Sequence, residues 1–151
     1  MDIEALDIDA AVAKWPGREE LEAQVREANP HPNLMKAAVE QSMAKWIAPE
    51  ELRARLVRVR EIWPQLREKL RKQLIPATQI QDSLRAVGAP AHPAEIKIDQ
   101  NRFRETYRRA QMIRKRYTVL DFVLEAGILD EITERLFSPD GFWGKQDFRL
   151  Q

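Results

Sequence analysis

The sequence predicts an all-α protein: a multi-helix bundle around one long kinked helix at about residues 50–75, with no sheet. Three observations lead there. Leu52, Leu56, Val59, Trp63, Leu66, Leu70 and Leu74 recur every three or four positions, laying one apolar stripe down a helix of roughly seven turns. The best strand-like alternation, Ile96-Lys97-Ile98, is too short to carry a sheet. The five glycines, at 17, 88, 127, 141 and 144, are too scattered for a dinucleotide fingerprint or a phosphate-cradling loop.

Taken in order, the opening segment reads as two short helices. Asp9 is placed to cap residues 10–15, and Pro16-Gly17 stops that helix. Residues 18–28 follow, with Leu21 and Val25 on one face, closed by Asn29-Pro30. His31-Pro32 reads as linker, because a residue before proline avoids helical torsions. Asn33 then caps residues 34–47, with Leu34, Ala38, Met43, Trp46 and Ile47 on a narrower stripe. Pro49 opens the long helix, where its missing donor costs nothing. Pro64 falls inside that helix and predicts a kink near residues 60–63, because the stripe keeps its phase on both sides. Arginines and lysines from Arg53 to Lys72 fill its wet face.

Beyond Ile75-Pro76, the spacing of Thr78 and Gln81 suggests a capping box and a helix over 79–87, ended by left-handed Gly88. Residues 89–98 hold Pro90 and Pro93 and read as an ordered loop with one helical turn at 94–96. Asp99 caps a helix over 100–113, with Phe103, Tyr107 (or Ala110) and Ile113 inward. Thr118 and Asp121 form a second box, opening a helix whose Val119, Leu120, Phe122, Val123 and Leu124 make it the segment expected to be most buried. Gly127 ends it, and residues 128–137 form the last helix, with Leu129, Ile132 and Leu136 inward. Ser138-Pro139-Asp140-Gly141 suits a type I turn, after which Phe142 and Trp143 anchor the tail.

A length of 151 residues suits a single domain, 1–151, able to bury about two-thirds of its unfolded surface. The 25 basic and 24 acidic side chains nearly cancel, but not locally. Residues 1–29 carry eight carboxylates against three basic side chains, whereas residues 102–116 carry seven basic side chains against Glu105 alone. Acidic and basic faces that meet each other would explain this, and so would a basic patch for a polyanion. Absence of cysteine excludes disulfides, thiolate metal ligands and thiol nucleophiles. No run approaches the roughly 20 apolar residues of a bilayer span, and acidic Met1-Asp2-Ile3-Glu4 is unlike a secretory signal, so the cytoplasm is the expected compartment.

Candidate chemistry is sparse. His31 and His92 both flank prolines, without a second histidine or a carboxylate at helical ligand spacing, so plain loop residues are expected and no metal site is assigned. Ser42, Ser83, Ser138, Thr78, Thr106, Thr118 and Thr133 suit caps, turns and helix surface better than a nucleophile–base pair. Residues 102–117 crowd six arginines, one lysine and two tyrosines into one stretch. Phosphate could bind such a stripe, but the neutral total and the lack of a nucleic-acid motif weigh against nucleic acid as a partner. Trp15, Trp46, Trp63 and Trp143 lie on four segments, which suits locks between helices better than a ligand box. No catalytic or cofactor-binding residue is assigned.

From Leu84 the chain runs Leu-Arg-Ala-Val-Gly-Ala-Pro-Ala-His-Pro-Ala-Glu-Ile, then Phe103-Arg104-Glu105-Thr106-Tyr107. It continues Met112-Ile113-Arg114-Lys115-Arg116-Tyr117-Thr118-Val119-Leu120-Asp121, then Gly127-Ile128-Leu129 and Phe137-Ser138-Pro139-Asp140-Gly141-Phe142-Trp143. This order resembles the C-terminal end of bacterial sn-glycerol-1-phosphate dehydrogenases, of the iron-containing alcohol dehydrogenase and dehydroquinate synthase-like superfamily. Trp15-Pro16, Ala44-Lys45-Trp46 and Trp63-Pro64 extend the likeness over nearly the whole chain. The runs 116–121 and 137–143 are its most specific parts, and neither is a catalytic signature.

The resemblance implies the helical part of a two-domain enzyme that interconverts glycerol 1-phosphate and dihydroxyacetone phosphate. Such an enzyme uses NADH or NADPH and a divalent metal, zinc or nickel. Family ligands are an aspartate and two histidines, the second followed by glycine. His31 and His92 lie outside that motif, and no His-Gly pair occurs. The resemblance therefore implies a chain silent by itself, partnered by an absent N-terminal nucleotide-binding domain and homo-oligomeric in the full enzyme. Arg116 and Tyr117 match the family pattern without a role attached to them. A free-standing helical module for a protein partner is the competing expectation, and an arginine-stripe polyanion binder the third.

Overall fold

Residues 3–149 are described by a computed structural model, and among them there is helix but no strand. Asp2, one of the acidic residues of the opening segment, lies outside them. A 3-10 turn (Ile3–Ala5) leads into α1 (Ile8–Lys14), α2 (Arg18–Ala28) and α3 (Pro32–Met43). The long bent helix α4 (Pro49–Gln73) carries Pro64 without ending there. Then come α5 (Ala77–Ala86), a 3-10 turn (Pro93–Ile96), α6 (Gln100–Arg109) with a 3-10 extension (Ala110–Ile113), α7 (Val119–Glu125) and α8 (Leu129–Phe137).

The apolar stripe of α4 does two different jobs. Leu52 and Leu56 are fully buried against Ile8 and Ala11 of α1 and against Ala126 just beyond α7. Beyond Leu56 no residue of α4 is fully buried. Val59, Trp63, Leu66 and Leu70 keep the stripe's phase but stay half-buried, and Leu74 is 66% exposed. The rest of the molecule is thus packed around the first half of α4 only.

A second cluster joins Leu21 and Val25 of α2 to Ala38 of α3 and Met112 of the α6 extension. Trp15 touches both clusters. Its Nε1 donates to the Ile47 carbonyl at 2.9 Å, while Trp46 Nε1 donates to the Pro16 carbonyl at 3.2 Å. The two indoles thereby pin the α1–α2 turn to the α3–α4 connection from both sides, as expected of aromatic bodies with one polar handle. At the far end, Phe103, Tyr107, Phe137, Trp143 and Phe148 form a ring cluster, with Trp143 Nε1 donating to Tyr107 Oη at 2.7 Å. This anchors the tail at Trp143.

Several local expectations are corrected. Asp7, not Asp9, caps α1 by accepting from the Ala10 amide at 2.9 Å. Pro32 is not linker but the first residue of α3, which ends at Met43, and Leu34 is 62% exposed. No side chain caps α5; the chain leaves Pro76 extended and enters the helix at Ala77, before Thr78 can act. The predicted helix over 100–113 tightens to 3-10 after Arg109, which shifts the phase of its inner face. Gln111 and Met112 are buried in place of Ala110 and Ile113. In α7, Val119 is 70% exposed, while Asp121 and Glu125 are buried with Val123. Asp99, Gly88 and Gly127 act as expected: Asp99 accepts from the Arg102 amide at 2.9 Å, and both glycines have positive φ.

Candidate functional site

A groove of about 570 Å³ lies between the second half of α4 and the start of α7. Val59, Trp63, Leu66 and Leu70 form one wall, with Val119, Phe122 and Val123 on the other. Arg55 and Tyr117 stand at its polar end. Its size matches a site for a small ligand or for a helix side-chain row, and its chemistry is almost wholly apolar.

Behind the polar end lies a buried carboxylate, Glu125, held by the partly exposed Arg55 and Tyr117. Arg55 Nη1 donates to Glu125 Oε1 at 2.5 Å and Tyr117 Oη donates to Glu125 Oε2 at 2.6 Å. The Arg55 guanidinium lies 5.1 Å from the Tyr117 ring centre, close enough for a cation–π contact. Burial holds the Glu125 carboxyl above the usual carboxylate range, although Tyr117 and Arg55 both pull it back. The same burial, reinforced by the Glu125 hydrogen bond and charge, pushes the Tyr117 phenol well above its ordinary value. Tyr117 is thus a fixed hydrogen donor rather than a phenolate nucleophile or base.

One turn earlier on α7, Asp121 makes a second buried centre. Lys45 Nζ donates to Asp121 Oδ1 at 2.5 Å and also to the Gln111 carbonyl. The Thr118 amide and hydroxyl both donate to Asp121 Oδ2, at 2.7 and 2.8 Å. Beside Lys45 and Asp121 there is a cavity of only about 20 Å³, room for nothing larger than a water molecule. This centre ties the α3–α4 connection and the 3-10 extension of α6 to α7. The spacing of Thr118 and Asp121 is legible as a cap, but nothing in the sequence marks Lys45 as the partner.

The other sequence candidates scatter. Arg104 pairs with Glu134, Arg108 with Asp130, and Arg109 with Glu105 at 3.1 Å. Two of the stripe's six arginines are thus answered by α8 and one by its own helix, while Asp9 of the acidic opening segment pairs with Arg53 at 2.5 Å. Arg116 is exposed and outside the groove lining. His31 is an exposed residue at the start of α3. His92 accepts the Ala94 amide on Nδ1 at 3.2 Å, and its buried Nε2 has no partner among rings that include Phe148 at 4.4 Å. Of the tryptophans, Trp15, Trp46 and Trp143 lock elements together, while Trp63 lines the groove. Ser42 is buried, with Oγ donating to the Met112 carbonyl at 3.4 Å.

A divalent metal and NAD(P) do not fit these residues. Among the described residues no three His, Asp or Glu side chains gather as a ligand set. Asp121 and Glu125 have both carboxylate oxygens engaged by donors of this chain, and the groove offers no glycine-rich turn to a pyrophosphate. Scans against protein-family models, curated proteins and solved structures return no match. No helix among the described residues is long and apolar enough to cross a membrane.

Proposed function

We propose that the chain is the C-terminal helical region of a metal- and NAD(P)-dependent glycerol-1-phosphate dehydrogenase, working only beside an N-terminal half that brings the metal ligands and the nucleotide-binding domain. The groove between α4 and α7 carries this reading. Its polar end is built from Tyr117, in the run 116–121 where the resemblance is most specific, and its apolar wall is left open along the second half of α4. A helical domain that works alone has no use for such a face. One that must seat a second folded body does.

The test is an assay of dihydroxyacetone phosphate reduction with NADH or NADPH and zinc or nickel. The 151-residue chain alone gives no turnover above a blank. Mixing it with the separately expressed N-terminal half of a glycerol-1-phosphate dehydrogenase, metal ligands included, gives a complex and restores turnover. Turnover by the chain alone, or failure of the two parts to associate, overturns the proposal. The second reading, a free-standing helical module that binds another protein, is favoured by the same groove. It predicts association with a partner and no reductase activity in any mixture.

A further inference from the structure

We infer that the groove beside α4 accepts one amphipathic helix with acidic flanks. The stripe on α4 is a coiled-coil seam: Leu52, Leu56, Val59, Trp63, Leu66 and Leu70 follow each other in alternating steps of four and three. The positions beside that seam are almost all basic. Arg53, Arg60 and Arg67 repeat every seven residues on one side, and Arg55, Ile62 and Lys69 on the other.

Where the seam is already covered, the covering helices show what these flanks require. Arg53 meets Asp9 of α1 at 2.5 Å, and Arg55 meets Glu125 of α7 at 2.5 Å. Each covering helix brings apolar residues to the seam and a carboxylate to its flank. Further along, Arg60, Arg67 and Lys69 are exposed and make no ion pair among the described residues, while Val59, Trp63, Leu66 and Leu70 continue the seam. This uncovered seam extends about 16 Å at the helical rise, enough for some three turns of a partner helix. An occupant that continues the covered pattern is a helix with apolar seam residues and glutamate or aspartate beside them. A second copy of α4 would set arginine and lysine against arginine and lysine. An anionic bilayer meets a ridge better than this two-walled groove.

The inference rests on this face being a docking surface, not on the dehydrogenase assignment. Two synthetic peptides of about three heptads are titrated calorimetrically into the full chain, both with leucine at the seam positions. One carries glutamate at every flank position and the other lysine, so neither pairs with itself. The glutamate peptide is expected to bind at least about tenfold tighter in low salt, and the triple variant Arg60→Glu, Arg67→Glu, Lys69→Glu reverses the preference while keeping the helical circular dichroism of the parent. Equal binding, no binding, or preference for the lysine peptide overturns the inference. So does a homodimer that excludes the peptide, or adsorption to phosphatidylglycerol vesicles by a chain that ignores both peptides. Peptide selection without reductase activity in any mixture leaves this inference standing and removes the dehydrogenase reading. Restored turnover without peptide selection does the reverse.

Discussion

Asp121 and Glu125 stand four residues apart on α7, so both carboxylates face the same way, and that way is inward. Each is held by a cation from a distant segment, Lys45 and Arg55. Removing one partner of the better-buried pair strands the other charge. Asp121→Ala is expected to cost about 3–5 kcal/mol in urea unfolding, because Lys45 then lies buried without a counter-ion. The double change Lys45→Met, Asp121→Leu should recover most of that loss. If the single and double variants melt alike, the pair is not a stability determinant. His92 adds a pH dependence of defined sign. Burial among aromatic rings lowers its pKa from 6.5, so the unfolded chain binds the proton more readily than the fold does. Stability contributed by neutral His92 is complete above pH 6.5 and is lost as pH falls through the lower folded value. The urea midpoint should drop from neutral toward mildly acidic pH, and His92→Gln should flatten that slope. At this scale the sequence is half legible. The Thr118–Asp121 cap is local and can be read from spacing, whereas Lys45 lies 76 positions from Asp121 and is matched to it only by tertiary folding.

Among the elements, α4 is where periodicity reads true and burial does not. The seam predicts one continuous helix, and α4 runs through Pro64 as expected, yet only Leu52 and Leu56 reach full burial. Periodicity reports which face of a helix is apolar; it says nothing of how much of that face finds a neighbour. The consequence is measurable. Leu52→Ala and Leu56→Ala should each cost about 2–5 kcal/mol, whereas Trp63→Ala and Leu70→Ala should each cost under about 1 kcal/mol in the isolated chain. Amide exchange should show the same break, with protection falling after the first half of α4. Uniform costs along the seam would mean that its far half is already covered in solution. The α6 extension fails in the opposite sense. A predicted continuous helix becomes 3-10 after Arg109, and one changed turn exchanges Ile113 for Met112 as the buried residue. Gly127 could be read as a terminator because its left-handed φ of 68° is a backbone need that glycine meets without strain.

For the molecule as a whole, near-neutral charge conceals a segregated surface, and that segregation sets how ionic strength acts. Arg104 and Arg108 of α6 are answered by α8 and Arg109 by Glu105, whereas Arg60, Arg67 and Lys69 beside the open seam of α4 make no ion pair among the described residues. Two kinds of association then respond to salt in opposite directions. Self-association through the apolar seam brings like charges together at Arg60, Arg67 and Lys69, and is opposed at low salt. Screening shortens from about 10 Å at 0.1 M to about 3 Å at 1 M, which removes that opposition while burial of the seam remains favourable. Sedimentation velocity of the chain alone should therefore show a heavier average species as salt rises. Binding of a helix with acidic flanks draws on attraction between unlike charges, and its affinity should fall over the same range. A single salt series on the chain, with and without the glutamate peptide, measures both slopes. Opposite slopes place the seam and its cations on one functional face; slopes of the same sign mean that charge beside the seam has no part in what it binds.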